Sequence, residues 1–461
     1  MSLALDSATS PSTHARDPSE QASARLITGE ASYQRKLSIP TRQGRQLVSF
    51  PHILQPEQPR DTAVDLARFL QTAKELSQQP AGVQISNHDA DQSPLRHLLT
   101  AAGGVLKFEK TPLRSAHDFS DFMHNLAAGT GWLPHVDKGL MVLRRPHAKN
   151  VATANEGPPT QAIGSHNEYG LSSHYPSYIA FFCLASPDTG GQTPIASSLR
   201  LYERFESELN AYLQAITKRG IAFAIHHPRG NVEGHVGGNS VFNANSFGPN
   251  EQGALQPEVP FAQLPEESKR AIVEENVRAL AREGGWDESA SLDDESVAVW
   301  KRRGYSGHWM PDGSFIVVQR TPGVRIHPIF GVPSYFTNVH TRFIYAGIDK
   351  AGQQIKPHWR RNLLDLVREQ QAEQSLASPF QLPAYIVGNT TLEDDTPFDQ
   401  EWIEENLRIT AEEQVDVSWN VGDVLLIDNL AVQHGRRPWE GDRRLLASLW
   451  DSPFLQRHSR V

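Results

Sequence analysis

Apolar residues recur along the chain with two periods, and the change from one to the other marks its elements. Over residues 62–76, Val64, Phe69, Leu70 and Leu76 fall in a helical array, and the glycine pair Gly103-Gly104 turns the chain into a short strand over 105–108. Ser115 and Asp118 have the capping-box spacing, which predicts a helix presenting Phe119, Phe122, Met123 and Leu126 on one face. Residues 178–184 form an unbroken apolar run, read as a buried strand, and Ser186-Pro187-Asp188-Thr189-Gly190-Gly191 then supplies turn residues before a second strand over 192–196. Leu199, Tyr202, Phe205, Leu209, Tyr212, Leu213 and Ile216 predict one amphipathic helix that stops near Gly220. A strand pair over 423–428 and 444–450 closes the pattern.

Between these elements the character of the chain changes. Residues 1–25 carry Ser, Ala, Asp, Gln and Pro with almost no large apolar side chains, the composition of a disordered tail. Asp6, Asp17 and Glu20 do not suit a mitochondrial leader, and no apolar run reaches the roughly 18 residues a membrane span needs, so a cytoplasmic protein is expected. Residues 228–310 hold Gly-, Asn- and Pro-rich stretches around a charged helix over 266–282, which reads as an insertion or lid on a single domain over 26–461. A further helical and loop region spans 355–412, and residues 140–143 read as an ordinary strand.

The net charge of −9 argues against a nucleic-acid partner, which would demand clustered positive charge. A single cysteine, Cys183, excludes an internal disulfide and reads as a small buried hydrophobe. The 19 histidines stand out, because imidazole is the commonest metal ligand. Two of them stand two residues before an acid, in His135-Val136-Asp137 and His166-Asn167-Glu168, and i, i+2 positions on extended chain share a face able to grip one ion. Chance alone gives about two such pairs at this composition, so neighbouring sequence has to choose between them.

The neighbours of His166 are distinctive. His166-Asn167-Glu168, then 176–184, then Gly190-Gly191-Gln192-Thr193-Pro194, and far downstream the stretch 422–444 around His434, together resemble the TauD/TfdA-like Fe(II)/2-oxoglutarate dioxygenases. The clavaminate synthase-like or syringomycin-type branch is the nearest in pattern, and Phe336-Thr337-Asn338 is similar to an intermediate element of that branch. The resemblance implies a mainly β fold with flanking helices around a double-stranded β-helix, or jelly roll. It implies Fe(II) held by His166, Glu168 and His434, with 2-oxoglutarate and O2 as co-substrates. Thr193 matches a co-substrate threonine, and Arg443 and Arg444 both fit the place of its arginine; strand alternation lets only one of them face inward. Glu168, where most of the wider family has Asp, keeps the carboxylate whose loss marks related halogenases.

The implied reaction is hydroxylation of an unactivated C–H bond in a small molecule, of amino-acid, peptide or fatty-acyl type, in secondary-metabolite biosynthesis. Two other readings fit the residues alone: a zinc-type hydrolase using the same ligands, and a non-catalytic jelly-roll binding protein. His174, His226, His227 and His235 are read as surface by default, as is the pair Arg436-Arg437. Trp309, Tyr335 and Phe336 are candidates for a substrate pocket, though strand aromatics usually serve the core.

Overall fold

The computed structural model describes residues 25–57, 62–83, 91–154, 159–232, 237–249, 259–294, 296–297, 299–346, 390–392 and 396–459. All of the tail over 1–25 except Arg25, and most of the region over 355–412, therefore lie outside the described residues, as does His235.

Two sheets share one core. The larger has nine strands, and its centre is Tyr178–Ala185 between Val424–Asp428 and Arg444–Asp451, both antiparallel to it. The smaller runs Val415–Val417, Thr193–Ser197, Val432–Arg436, Ile163–His166. The unbroken apolar run of Tyr178–Ala185 follows from its position, because both of its faces are covered. Tyr178, Ala180 and Phe182 meet the helix layer, where Phe182 stacks on Phe119 at 5.1 Å. Ile179, Phe181 and Cys183 face the other way, into a cluster with Ile195, Val415 and Val432 of the smaller sheet. Cys183 is fully buried, as expected.

The helix layer forms for the reasons written in its sequence. Thr62 caps Ala63–Ser77, and the Ser115–Asp118 capping box opens Ala116–Ala127 with both reciprocal bonds made. Phe69 and Phe122 stack at 5.1 Å between these two helices. A third sheet, Ser306–Trp309, Phe315–Thr321, Ile221–His227 and Thr390–Leu392, packs with the helix Glu266–Glu283 into a separate cluster.

Two expectations need correction. The helix expected over 199–216 is two helices, Ser198–Glu208 and Asn210–Lys218, broken at Leu209 with φ −139° and ψ 44°. Leu209, Phe205, Leu213 and Ile216 still enter the same cluster, so the break leaves the apolar pattern intact. Residues 140–143 form no strand. Gly139, at φ +66°, turns the chain, and Gly139 and Leu140 donate their backbone N–H to Ser246 and Asn245 instead of to a sheet neighbour.

Among the described residues, no helix is long and apolar enough to cross a membrane.

Candidate metal centre

His166 ends the strand Ile163–His166, and His434 lies directly opposite it on Val432–Arg436, so strand pairing alone brings the two imidazoles to a centroid distance of 4.4 Å. Glu168 stands just past the strand end. Its backbone is held from both sides by Asn429, whose Oδ1 accepts from Glu168 N at 2.7 Å and whose Nδ2 donates to Glu168 O at 2.9 Å. Asn167 is buried beneath and donates to Asn429 O, while its Oδ1 accepts from Thr337 N at 3.0 Å and from Gln433 Nε2 at 3.1 Å. Tyr169 then takes φ +54°, an uncommon backbone for a bulky residue, which turns the chain away behind the carboxylate.

The ligand atoms of His166, Glu168 and His434 all lie within 4.8 Å of one another, the one such group among the described residues. Glu168 Oε2 is 3.7 Å from His166 Nε2 and 3.4 Å from His434 Nε2. His166 Nδ1 faces Gly164 O at 2.9 Å, which assigns the proton to Nδ1 and leaves the Nε2 lone pair toward the carboxylate. Glu168 Oε1 is taken by the guanidinium of Arg144.

Electrostatics set the donor state. Burial above all, and then the neighbouring His166, lower the His434 pKa to about 4, so that ring is neutral at physiological pH. Burial works against ionisation of Glu168, but the Arg144 guanidinium holds its carboxyl well below the usual carboxylate range. A deprotonated imidazole nitrogen and an ionised carboxylate are what a divalent cation needs, so these residues fit Fe(II).

The cluster opens on a cavity of about 1100 Å³, open mouth included, lined by both sheets. Ile179, Phe181, Leu445 and Ala447 form its apolar wall, and Thr193, Asn338, Arg342, Arg436 and Arg443 its polar part. Arg443 faces inward and Arg444 outward. Arg443 donates from Nε to Gly191 O at 3.0 Å, and burial, then the nearby Arg436, lower its pKa to about 9. Arg444 pairs with Asp442 at 3.1 Å on the surface. Gly191 sits at φ +67°, and a Cβ there would stand 2.9 Å from Arg443 Cδ, so the glycine lets this arginine pass into the cavity. Thr193 Oγ1 accepts from Trp419 Nε1 at 3.0 Å, leaving its own hydroxyl proton to give.

The other histidine pair is occupied elsewhere. His135 Nδ1 bonds Asp451 at 2.7 Å, and Asp137 accepts from Tyr169 OH at 2.5 Å. His227 is buried instead of exposed. Arg436, expected to be solvated, is 4 % exposed; it donates to Gln161 O and lies over Trp439. Arg437 does reach the surface and pairs with Asp416. Tyr335 and Phe336 are core residues, and with Trp309 they stay out of the cavity wall. Arg144 and Asn429 escaped the sequence reading; Asn429 sits within the quoted stretch around His434, whereas nothing local marks Arg144.

A profile described as taurine catabolism dioxygenase TauD, TfdA family matches residues 70–450. A clavaminate synthase-like protein of Arabidopsis thaliana is 27% identical over 358 residues, 77% of this chain and 83% of that protein. The dapdiamide synthesis protein DdaC of Enterobacter agglomerans is 23% identical over 361 residues, 78% of this chain and 86% of that protein. A solved taurine dioxygenase from Burkholderia xenovorans superposes with a TM-score of 0.36 at 13% identity, covering 91% of this chain and 90% of that one, too loosely to argue from.

Proposed function

The chain belongs to the taurine catabolism dioxygenase TauD, TfdA family, whose members depend on Fe(II), 2-oxoglutarate and O2, and from that membership we propose that it hydroxylates a C–H bond of a small biosynthetic intermediate at a centre formed by His166, Glu168 and His434. The observation that carries the reading is the convergence of two imidazole Nε2 atoms on one carboxylate oxygen at the floor of a cavity that holds Arg443 and Thr193. Bound there, Fe(II) supplies the coupling of 2-oxoglutarate decarboxylation by O2 to insertion of oxygen into the substrate, giving succinate and CO2.

The protein's own groups have separate tasks. Arg443 meets the far carboxylate of 2-oxoglutarate by charge-assisted hydrogen bonds, and the Thr193 hydroxyl adds a further donor. Arg144 keeps Glu168 Oε1 engaged, so the carboxylate offers a single oxygen, Oε2, to the metal and leaves room for the co-substrate. Ile179, Phe181, Leu445 and Ala447 keep the far wall dry. The two facing sheets form a double-stranded β-helix.

Residues 26–461 act as one domain, with 228–310 as its lid and 1–25 as a tail. Support for the lid comes from backbone bonds that join Ser246, Asn245 and Asn239 to Gly139, Leu140 and Met141, which line the cavity. Amino-acid, peptide and fatty-acyl substrates are the classes to test, and the likeness to a dapdiamide synthesis protein favours the first two. The test is succinate formation and product mass with Fe(II), 2-oxoglutarate and each class in turn. One class should raise succinate above the uncoupled background and gain one oxygen atom. Turnover with zinc and without 2-oxoglutarate would refute the proposal.

A further inference from the structure

A second cavity, lined by Ser173, His174, Tyr175, Glu283, Arg325 and Gln456 among others, shares no lining residue with the first. Its feature is Arg325, on the strand Val324–Ile326 and only 8 % exposed. The guanidinium lies 4.6 Å from the ring centroid of Tyr175 and 5.2 Å from that of Phe336. Aromatic faces ease the charge but accept none of the in-plane N–H bonds. Among the described residues the Arg325 side chain has no hydrogen bond or ion pair, and its Nε is buried without an acceptor.

That state is costly unless a counter-charge arrives. Lys107, buried deeper still, is met by Glu109 at 2.7 Å and Asp423 at 3.0 Å. The acid in this cavity is committed elsewhere: Glu283 pairs with Lys138 at 2.6 Å and faces His174 at 3.6 Å. Arg325 thus resembles Arg443, a guanidinium opening on a cavity and paired with no carboxylate among the described residues.

We propose that this cavity is an accessory oxyanion site, in which Arg325 binds a carboxylate or phosphate group through its fork and the Gln456 amide supplies a further donor. It stands apart from the co-substrate site, yet one segment serves both. Tyr169 and Leu171 line the first cavity, and Ser173, His174 and Tyr175 line the second.

Calorimetric titration of the metal-free full chain with inorganic phosphate and with succinate, at fixed ionic strength, tests the site and separates the two sources of oxyanion. Wild type and Arg443→Leu should bind one of these probes alike, and Arg325→Leu should bind it at least tenfold more weakly. The melting temperature of Arg325→Leu should stay level or rise, since an uncompensated cation is removed. Arg325→Lys keeps a charge between the two rings and guards against a folding artefact; it should bind the probe several-fold more weakly than wild type. The proposal is overturned if neither probe binds at tens of millimolar, if binding vanishes in Arg443→Leu alone, or if either Arg325 variant keeps wild-type affinity.

Discussion

Replacing Arg443 by leucine separates its service to a ligand from its service to the fold. The side chain is mostly buried, and its pKa of about 9 reflects an environment that disfavours the charge. The distance from the ordinary arginine value corresponds to roughly 5 kcal/mol against the protonated form in the folded chain. At neutral pH the group is nevertheless protonated, because about 9 still lies above neutrality. A carboxylate arriving beside it recovers part of that penalty, and truncating one partner of such a buried charge pair typically costs about 2–5 kcal/mol. Arg443→Leu should therefore weaken 2-oxoglutarate binding by about 30- to 5,000-fold. Its unliganded stability should hold or rise, since the lost contacts are one bond to Gly191 O and a cation–π contact with Trp439 at 5.3 Å. Anaerobic calorimetry with metal-loaded protein reads the first effect, and urea denaturation of the metal-free chain reads the second. Arg444→Ala is the control; its exposed pair with Asp442 is worth under about 1 kcal/mol. The reasoning is refuted if Arg443→Leu binds 2-oxoglutarate within about threefold of wild type, or if Arg444→Ala is the variant that loses it.

Arg144→Leu should lower 2-oxoglutarate affinity by about 10- to 100-fold by freeing Glu168 Oε1, whereas Arg144→Gln, able to donate to the same oxygen, should lose much less; equal losses in calorimetry contradict the single-oxygen role. His227 and His340 are buried with pKa values lowered to about 3, chiefly by burial, with His226 and His166 respectively adding to it. The unfolded chain takes up their protons first, so stability should fall as pH drops from the ordinary histidine value toward about 3, by about 2 kcal/mol per group at pH 5. Urea midpoints across that range measure the fall, and a flatter profile in His227→Phe is expected. Lys107→Met leaves Asp423 buried without its cation and should cost about 3–5 kcal/mol of stability, read as a lower urea midpoint; a change below about 1 kcal/mol counts against the pair.

What the sequence disclosed depended on how local each cause is. The Ser115 cap and its helix were readable because both partners lie within one turn. Tyr178–Ala185 was readable because burial of both faces leaves an apolar run. The break at Leu209 was not, since the residues on either side keep facing one core and the periodicity passes through it. Residues 140–143 mimic a strand because the apolar side chains of Leu140, Met141 and Val142 serve a cavity wall. In the site, the i, i+2 spacing marked His166 and Glu168 no better than His135 and Asp137, and it was the family resemblance of the stretches around His166 and His434 that chose the three ligands. Arg144, Arg436 and Asn429 take their meaning from partners far along the chain, Glu168, Gln161 and the Glu168 backbone, and only folding brings these together.

The central claim is that His166, Glu168 and His434 form one iron site completed by 2-oxoglutarate. Anaerobic titration of the chain with Fe(II) and 2-oxoglutarate, followed by the visible charge-transfer absorbance of the chelated co-substrate, tests it most directly. One equivalent of Fe(II) should develop the band in wild type, and His166→Ala, Glu168→Ala and His434→Ala should each abolish it while keeping the wild-type fold by circular dichroism. A full band in any of these three variants would contradict the assignment.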